Sequence, residues 1–411
     1  MSGSSTRGRV LLVALSCTVL GGCRFFDESL LEGLDGGAGE VDAGAPDAPS
    51  DGSPVLDAGP GCDLTRPPPR PDGEDDGEDV GELFFVFHHF TLDQSDDRWR
   101  TIGWDLDGIC SDPPEPRTEC RAPSPRAPVE IDGVGGIDNA LGHNLLDMLL
   151  GALPEIQETL TGHEWGHGSI LIRVRSWNGR DDDPRVDVAF TQTIAGTPPL
   201  PDGGPPPVTS EDILNRDFPP RPNWDGNDWF YARNASFFEG DLERPRIRVD
   251  TAYVADRVLV IDFPNRIPIV FNDPNGSLVV YMTDGHLAGR IADDVSGFDW
   301  ANFGGRWPVA DLLGTLPMAG FCEGTRDYRA LEAITDLAAD LRAVPGSGGS
   351  DAVCNAISGG LSGQGTRGRF AGLLDAYDAV PDKCAGMMMD GGVPDAGPTD
   401  AGAALDAADG A

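Results

Sequence analysis

Lysine is nearly missing from this chain: Lys383 stands alone against 29 Arg. We read that bias as the mark of a GC-rich genome rather than of chemistry. Positive charge as a whole is scarce, with 30 Lys and Arg against 68 Asp and Glu and a formal net charge of −38. A surface of that sign repels polyanions, which excludes nucleic acid as a partner and argues against adsorption to anionic membranes. Long apolar runs are missing too. The best candidate, Val10 to Leu20, falls well short of the ~20 residues a helix needs to span a bilayer. No G-x-S-x-G elbow, P-loop or paired catalytic-Cys signature is present, so the familiar nucleophile and phosphate-binding chemistries have no local support.

What is there begins at the N-terminus. Arg7 and Arg9 form a positive segment ahead of the short apolar run, the pattern of an export signal. Leu20-Gly21-Gly22-Cys23 follows and resembles the bacterial lipobox, in which the Cys is lipidated and becomes the mature N-terminus. The Ala14-Leu15-Ser16-Cys17 stretch is a poorer match, because a small residue stands three before its Cys. Lipid on Cys23 would tether the chain to a membrane, and Arg24, where Asp would imply inner-membrane retention by analogy, implies the outer membrane. With Cys17 removed and Cys23 lipidated, six Cys remain, an even number that predicts disulfides in an exported protein. The pairing we expect is Cys110–Cys120, Cys322–Cys354 and Cys62–Cys384, chosen among 15 connectivities.

Composition divides the rest. Residues 1–22 read as signal and 23–82 as a disordered acidic linker of Asp-Ala-Gly and Pro-Asp-Ala units, with too few large apolar residues to offset the entropy of ordering. Residues 385–411 repeat that composition as a tail. Between them, 83–384 is long enough for a substantial core. Its short apolar-aromatic segments at 82–93, 169–177, 185–193, 228–236, 246–254, 257–263 and 267–271 read as strands. Residues 277–291 read as a hairpin turning at Asp284-Gly285. Helical spacing is expected near 138–160, with Asp138 as N-cap, and at the C-terminal end, in 325–344 and in two shorter helices, "DAVCNAIS" and "RFAGLLDAYDAV". The fold expected is mainly β with α: an antiparallel β-sandwich-like domain, capped by C-terminal helices, with disordered flanks.

Three stretches invite a chemical reading. "TGHEWGHGSI" contains H-E-x-x-H, with His163 and His167 as zinc ligands and Glu164 as the base. Gly162, Gly166 and Gly168 disfavour the helix that would put both His on one face, so a helix-to-strand connection is preferred over a protease. "WDLDGICSD" and "IDGVGGIDNA" supply Asp105, Asp107, Asp112, Asp132 and Asp138. Hard oxygen ligands around Gly turns suit calcium, yet Asp and Gly also build ordinary turns. Turns are therefore the first expectation and calcium the alternative; no other cofactor is expected. "NWDGNDWFYAR" offers Trp224, Trp229 and Asp225 for stacking on and bonding a sugar, against the plainer reading of a turn entering a strand. His88 and His89 fall in a strand, where neighbours point to opposite faces, so they are not expected to act together.

In order along the chain, "GWDLDGICSD", "GGIDNALG", "WNGRDDDPRV", "AYVADRVLV", "DGHLAGR" and "GRWPVADLL" resemble a group of uncharacterised myxobacterial proteins. These are exported, often lipobox-bearing chains with Asp-Ala-Gly-Pro linkers. The resemblance covers most of 83–360 and implies export and tethering but no activity. The function expected is that of an outer-membrane-anchored, non-enzymatic surface or binding protein with a cell-surface partner. The alternatives are a calcium-dependent glycan binder using Asp105, Asp107 and Trp224, and a zinc hydrolase using His163, Glu164 and His167.

Overall fold

The structure is a computed structural model that describes residues 62–73, 77–111, 117–124, 129–147, 150, 166, 168–214, 220–264, 266–272, 277–349, 351–375 and 384. The expected signal, Cys23 and the 385–411 tail lie outside the described residues, as do His163, Glu164, His167 and Asp112.

Eight strands close into an antiparallel barrel. They are β1 (Leu83–His88), β2 (Ile170–Arg175), β3 (Asp183–Thr197), β5 (Arg248–Ala255), β6 (Val258–Phe263), β8 (Ser277–Ile291), β9 (Gly297–Pro308) and β10 (Ala356–Leu374). Each pairs with the next in that order, and β10 returns to β1 through Phe84↔Gly368 to His88↔Gln364. This overturns the expected sandwich. Alternating apolar positions are the same in a sandwich and a barrel; what separates them is the β10–β1 pairing, between residues far apart in sequence.

Two strands stand outside the ring. β7 (Ile267–Asn272) pairs with the first half of β8. β4 (Trp229–Arg233) bridges the far ends of β3 and β10, antiparallel to the first and parallel to the second. It lies against the outer face of β1 and β2, where Phe230, Ala232 and Phe237 cluster with Val86 and Leu171.

The interior is built from alternate positions. Phe85 and Phe87 of β1, Ile170 and Ile172 of β2, Val186 and Val188 of β3, Leu259 and Ile261 of β6, Leu287 of β8 and Phe298 and Phe303 of β9 form one buried cluster. Eight strands leave an interior that side chains can fill, and burying each large apolar side chain contributes about 2–3 kcal/mol. β10 makes room for the aromatics with glycine: a Cβ on Gly363 would meet the Phe87 ring, and one on Gly365 the Phe298 ring.

Those glycines explain the largest misreading. "DAVCNAIS" and "RFAGLLDAYDAV" are expected to be helices, but Ala356–Ser358 of the first and Arg369–Leu374 of the second belong to β10, and residues 376–380 lie outside the described residues. β9, as glycine-rich and poor in aliphatics, was not foreseen. Residues 277–291 form one strand rather than a hairpin. Asp284, at φ 51°, sits in a bulge between Thr283 and His286 that bends the strand without reversing it.

Helices are few among the described residues. α1 (Ser210–Leu214), α2 (Val309–Thr315) and α3 (Arg326–Ala338) join a π-helical turn at Leu141–Leu145. Thr325 caps α3 by accepting from the Tyr328 N–H. α3 stops before Leu341, which instead bridges to Ala356. Asp138 does not cap the turn it precedes: Asn139 does, its Oδ1 accepting from the Gly142 N–H at 3.0 Å.

The expected disulfide pairing is also corrected. All six Cys are bonded, as Cys62–Cys110, Cys120–Cys354 and Cys322–Cys384. Cys110–Cys120 and Cys322–Cys354 follow from proximity in the chain and Cys62–Cys384 from the two ends of the domain, whereas the barrel brings residue 354 back beside residue 120, with Cα atoms 5.2 Å apart. Residues 62–70, assigned above to the linker, lie on the barrel. Thr65 donates its N–H to the Gly135 carbonyl at 2.7 Å and Tyr253 donates its hydroxyl to the Pro68 carbonyl at 2.8 Å.

Candidate functional site

The outer face of β5, β6 and β8 is covered by Trp104, Leu106 and Leu341, which pack on Tyr253, Val258, Val260 and Ala288. This seats a group of irregular segments, 104–111, 117–124, 129–139 and 339–342, beside β9 and β10. Gly103 lies directly on Gly360, where a Cβ would meet the 102–103 backbone within 2.8 Å. Asn139 fixes the same layer: its Nδ2 donates to Gln94 Oε1 at 2.7 Å and to the Ile102 carbonyl at 2.9 Å, and its Oδ1 accepts from the Gly360 N–H at 3.0 Å.

These segments bring carboxylates together. Asp105, Asp107 and Asp138 each present a ligand atom within 4.8 Å of the others. Asp107, Asp132 and Asp138 line a cleft of about 450 Å³ with Ser111, Glu130 and Asp340. One oxygen of each Asp is held by a backbone N–H. Gly108 donates to Asp105 at 2.8 Å, Ile109 to Asp107 at 2.8 Å, Ser111 to Asp132 at 2.6 Å and Leu106 to Asp138 at 2.7 Å. The second oxygen of Asp105 takes the Arg66 guanidinium at 2.6 Å. Among the described residues, no cation pairs with Asp107, Asp132, Asp138 or Asp340.

Burial and crowding oppose that charge. Burial pushes Asp107 up to about 7, against the Ile109 N–H, with repulsion from Asp105 and Glu119 adding to it. Burial raises Asp132 to about 8, and repulsion from Asp107 and Asp340 adds to the rise. Asp138, fully enclosed, is raised well above the carboxylate range by burial and then by Asp107 and Asp132. Asp340 is raised to about 7 by burial, despite its bonds from the Ser358 N–H and hydroxyl. For Asp105, burial outweighs Arg66 and the pKa is also raised.

Behind the cleft stands Arg306, 1 % exposed. Its guanidinium donates to Asp284 at 2.9 Å, to Glu119 at 2.7 Å, to the Arg342 carbonyl at 2.9 Å and to the Leu106 carbonyl. One side chain of β9 thus ties the 104–108, 119–121 and 340–343 segments to the barrel. Burial pulls its pKa down, but Glu119 and Asp284 hold it above the ordinary arginine value.

No protein-family model, curated protein or solved structure matches this chain. The site is therefore read from its own geometry.

Of the calcium candidates, the fold gathers Asp105, Asp107, Asp132 and Asp138. It adds Asp340, Glu119 and Glu130, which the sequence reading missed. Asp340 was hidden inside an expected helix, and no spacing rule links Glu119 to residues of β9. Asp112 and the His163, Glu164 and His167 triad lie outside the described residues.

The sugar candidates sit elsewhere. Trp224 stacks on His88, which pairs with Gln364 of β10, while the Asp340 carboxylate meets β10 at Ser358. The strand between those points spans about 20 Å at ~3.3 Å per residue, so Trp224 does not share a site with Asp105 and Asp107. Asp225 closes its own turn by accepting from the Asn227 N–H at 2.9 Å, and Trp229 donates its Nε1–H to the Gly203 carbonyl at 3.1 Å.

Proposed function

We propose that this chain is an exported, non-enzymatic binding protein, tethered to the outer membrane through lipid on Cys23, whose acidic cleft takes a calcium ion. One observation carries the calcium reading. Asp107, Asp132 and Asp138 converge on a single cleft, each fixed through one oxygen, in surroundings that oppose their ionisation. A hard divalent cation relieves that opposition, and calcium accepts six to eight oxygens in adaptable geometry. Asp105 adds a further oxygen within 4.8 Å of those of Asp107 and Asp138, and water would complete such a shell.

Tethering rather than spanning is supported by the outer face of the barrel. Arg175, Asp187, Arg248 and Asp250 stand there, with Arg175 paired to Glu243 and Arg248 to Asp187 at 2.8 Å. Lipid-facing charges of that density are costly in a bilayer, and no helix of the described residues is long and apolar enough to cross one. In this reading the barrel stays in water and the acidic linker lets it reach a partner from the lipid anchor.

Calorimetric titration of the full chain with calcium tests the first part. Binding in the submillimolar to millimolar range typical of extracellular modules is expected, weakened at least tenfold by Asp138→Asn. Absence of calcium binding at several millimolar would overturn it. Cys23→Ala should move the protein from the membrane to the soluble fraction; a membrane-bound variant would overturn the tether.

A further inference from the structure

β10 outruns β9. Their pairing ends at Thr366↔Gly297, after which Arg367 donates its N–H to the Ser296 carbonyl at 2.8 Å and Arg369 donates its own to the Asp228 carbonyl at 2.9 Å. A cavity of about 480 Å³ opens at this end of β10, with Glu82, Phe84, Asn227, Arg367, Arg369 and Phe370 in its lining. Its size falls within the ~300–1,000 Å³ of small-ligand sites.

The charge of this cavity is opposite to that of the chain. Arg367 and Arg369 are exposed, and among the described residues no carboxylate pairs with either. The Arg369 guanidinium donates to Asn227 Oδ1 at 3.2 Å and lies 5.6 Å from the Trp229 ring centre, both neutral partners. Glu82, the acid in the lining, is already engaged: it stands 2.6 Å from the Arg175 guanidinium and 3.9 Å from that of Arg173. Asp225 and Asp228, close in sequence, accept instead from backbone N–H groups of the 223–227 turn. Two guanidinium charges are left over in a protein whose net charge is −38. The remaining wall is aromatic. Phe84 and Phe370 are half-buried and stack with ring centres 5.6 Å apart and planes 15° from parallel.

We propose that this cavity binds a carboxylated sugar. Arg367 and Arg369 take the carboxylate, and the Phe84–Phe370 pair packs on the C–H face of the sugar ring. The two kinds of wall choose between anions. Sulfate and acidic peptides of the chain's own Asp-Ala-Gly type bring negative charge without an apolar face, and a neutral sugar brings the face without the charge. From Gly368 to Ser358, where the Asp340 carboxylate meets β10, the strand runs about 30 Å at ~3.3 Å per residue. Sugar binding here is therefore independent of calcium in the acidic cleft.

The full chain is titrated calorimetrically with trigalacturonate in EDTA, so that no calcium bridges the sugar. Binding below ~1 mM is expected, with the methyl ester of the same trisaccharide at least ~10-fold weaker, since the ester keeps the rings and loses the charge. The double variant Arg367→Gln, Arg369→Gln should lose affinity by that factor or more with an unchanged melting temperature, because both side chains are exposed. Asp138→Asn should bind as the wild type does. The comparison of acid with ester is made on the unaltered protein, so it decides the matter even if a variant misfolds. The proposal is overturned if trigalacturonate does not bind at ~10 mM, if the ester binds as tightly, or if the folded double variant keeps its affinity. It is overturned too if Asp138→Asn loses binding, which would put the sugar in the cleft, or if sulfate or an Asp-Ala-Gly peptide binds as tightly, which would mark a general anion patch.

Discussion

Replacing Arg306 with Met removes one charge and four hydrogen bonds from a fully buried position. Met roughly keeps the volume, so little of the effect is a cavity. What is lost is the partner of Glu119, itself buried and accepting also from the Arg342 N–H at 3.0 Å. Removing one member of a buried ion pair costs about 3–5 kcal/mol, because the remaining charge is stranded. The carbonyls of Leu106 and Arg342 lose a donor as well, which adds to the cost. At roughly 2–4 °C per kcal/mol for large domains, the melting temperature should fall by ~6–20 °C. Calorimetry at neutral pH measures this directly. The double variant Arg306→Met, Glu119→Gln should recover part of the loss, since neutralising Glu119 removes the stranded charge. Calcium affinity should drop in the single variant, because the segment carrying Asp105 and Asp107 hangs on the bond from Arg306 to Leu106. A single-variant loss under ~1 kcal/mol, or a double variant as unstable as the sum of its parts, would refute the view that this guanidinium holds the cleft.

Other outcomes follow from the same structure. His286 has its pKa raised from 6.5 to about 9: burial pulls it down, but hydrogen bonds to Asp262 and Asp284 outweigh that. Its folded pKa lies above its free value, so its contribution of about 2–3 kcal/mol is fully present below pH ~6.5 and is lost as pH rises through ~9. His286→Gln should flatten the decline in melting temperature over that window, and an unchanged profile would count against it. Breaking Cys120–Cys354, which closes 234 residues, with Cys120→Ser and Cys354→Ser should cost about 3–5 kcal/mol in urea unfolding; a midpoint equal to wild type would contradict the pairing. Gly363→Ala drives a Cβ against Phe87 and the His88 carbonyl and should destabilise by about 1–3 kcal/mol. Gly314→Ala, in α2 with nothing within 4 Å, should stabilise by about 0.5–1 kcal/mol, and the two should differ in sign by thermal melting.

The sequence by itself determined most of the strands and the fact that the Cys are paired. Segments such as "LFFVFH" and "RVLVIDF" carry β-branched and aromatic residues whose burial is worth the same in any sheet, so their local pattern was legible. It also placed Asp105, Asp107, Asp132 and Asp138 as a candidate set, because Asp and Gly at turn spacing are visible without a fold. Only the tertiary structure decided how those pieces close. In β10, Gly363 and Gly365 make room for the Phe87 and Phe298 rings, a requirement that the strand's own composition does not display. The barrel rather than the sandwich follows from β10 reaching β1, and the disulfide partners follow from the same return of the chain. Asp340 lines the cleft and Arg306 pairs with Glu119 behind it through contacts between segments distant in sequence, and His88 and His89 face one another because a single left-handed residue ends the strand. Local pattern encodes what a segment can be. Which segments meet is set by which surfaces can be buried together, and that is a property of the whole chain.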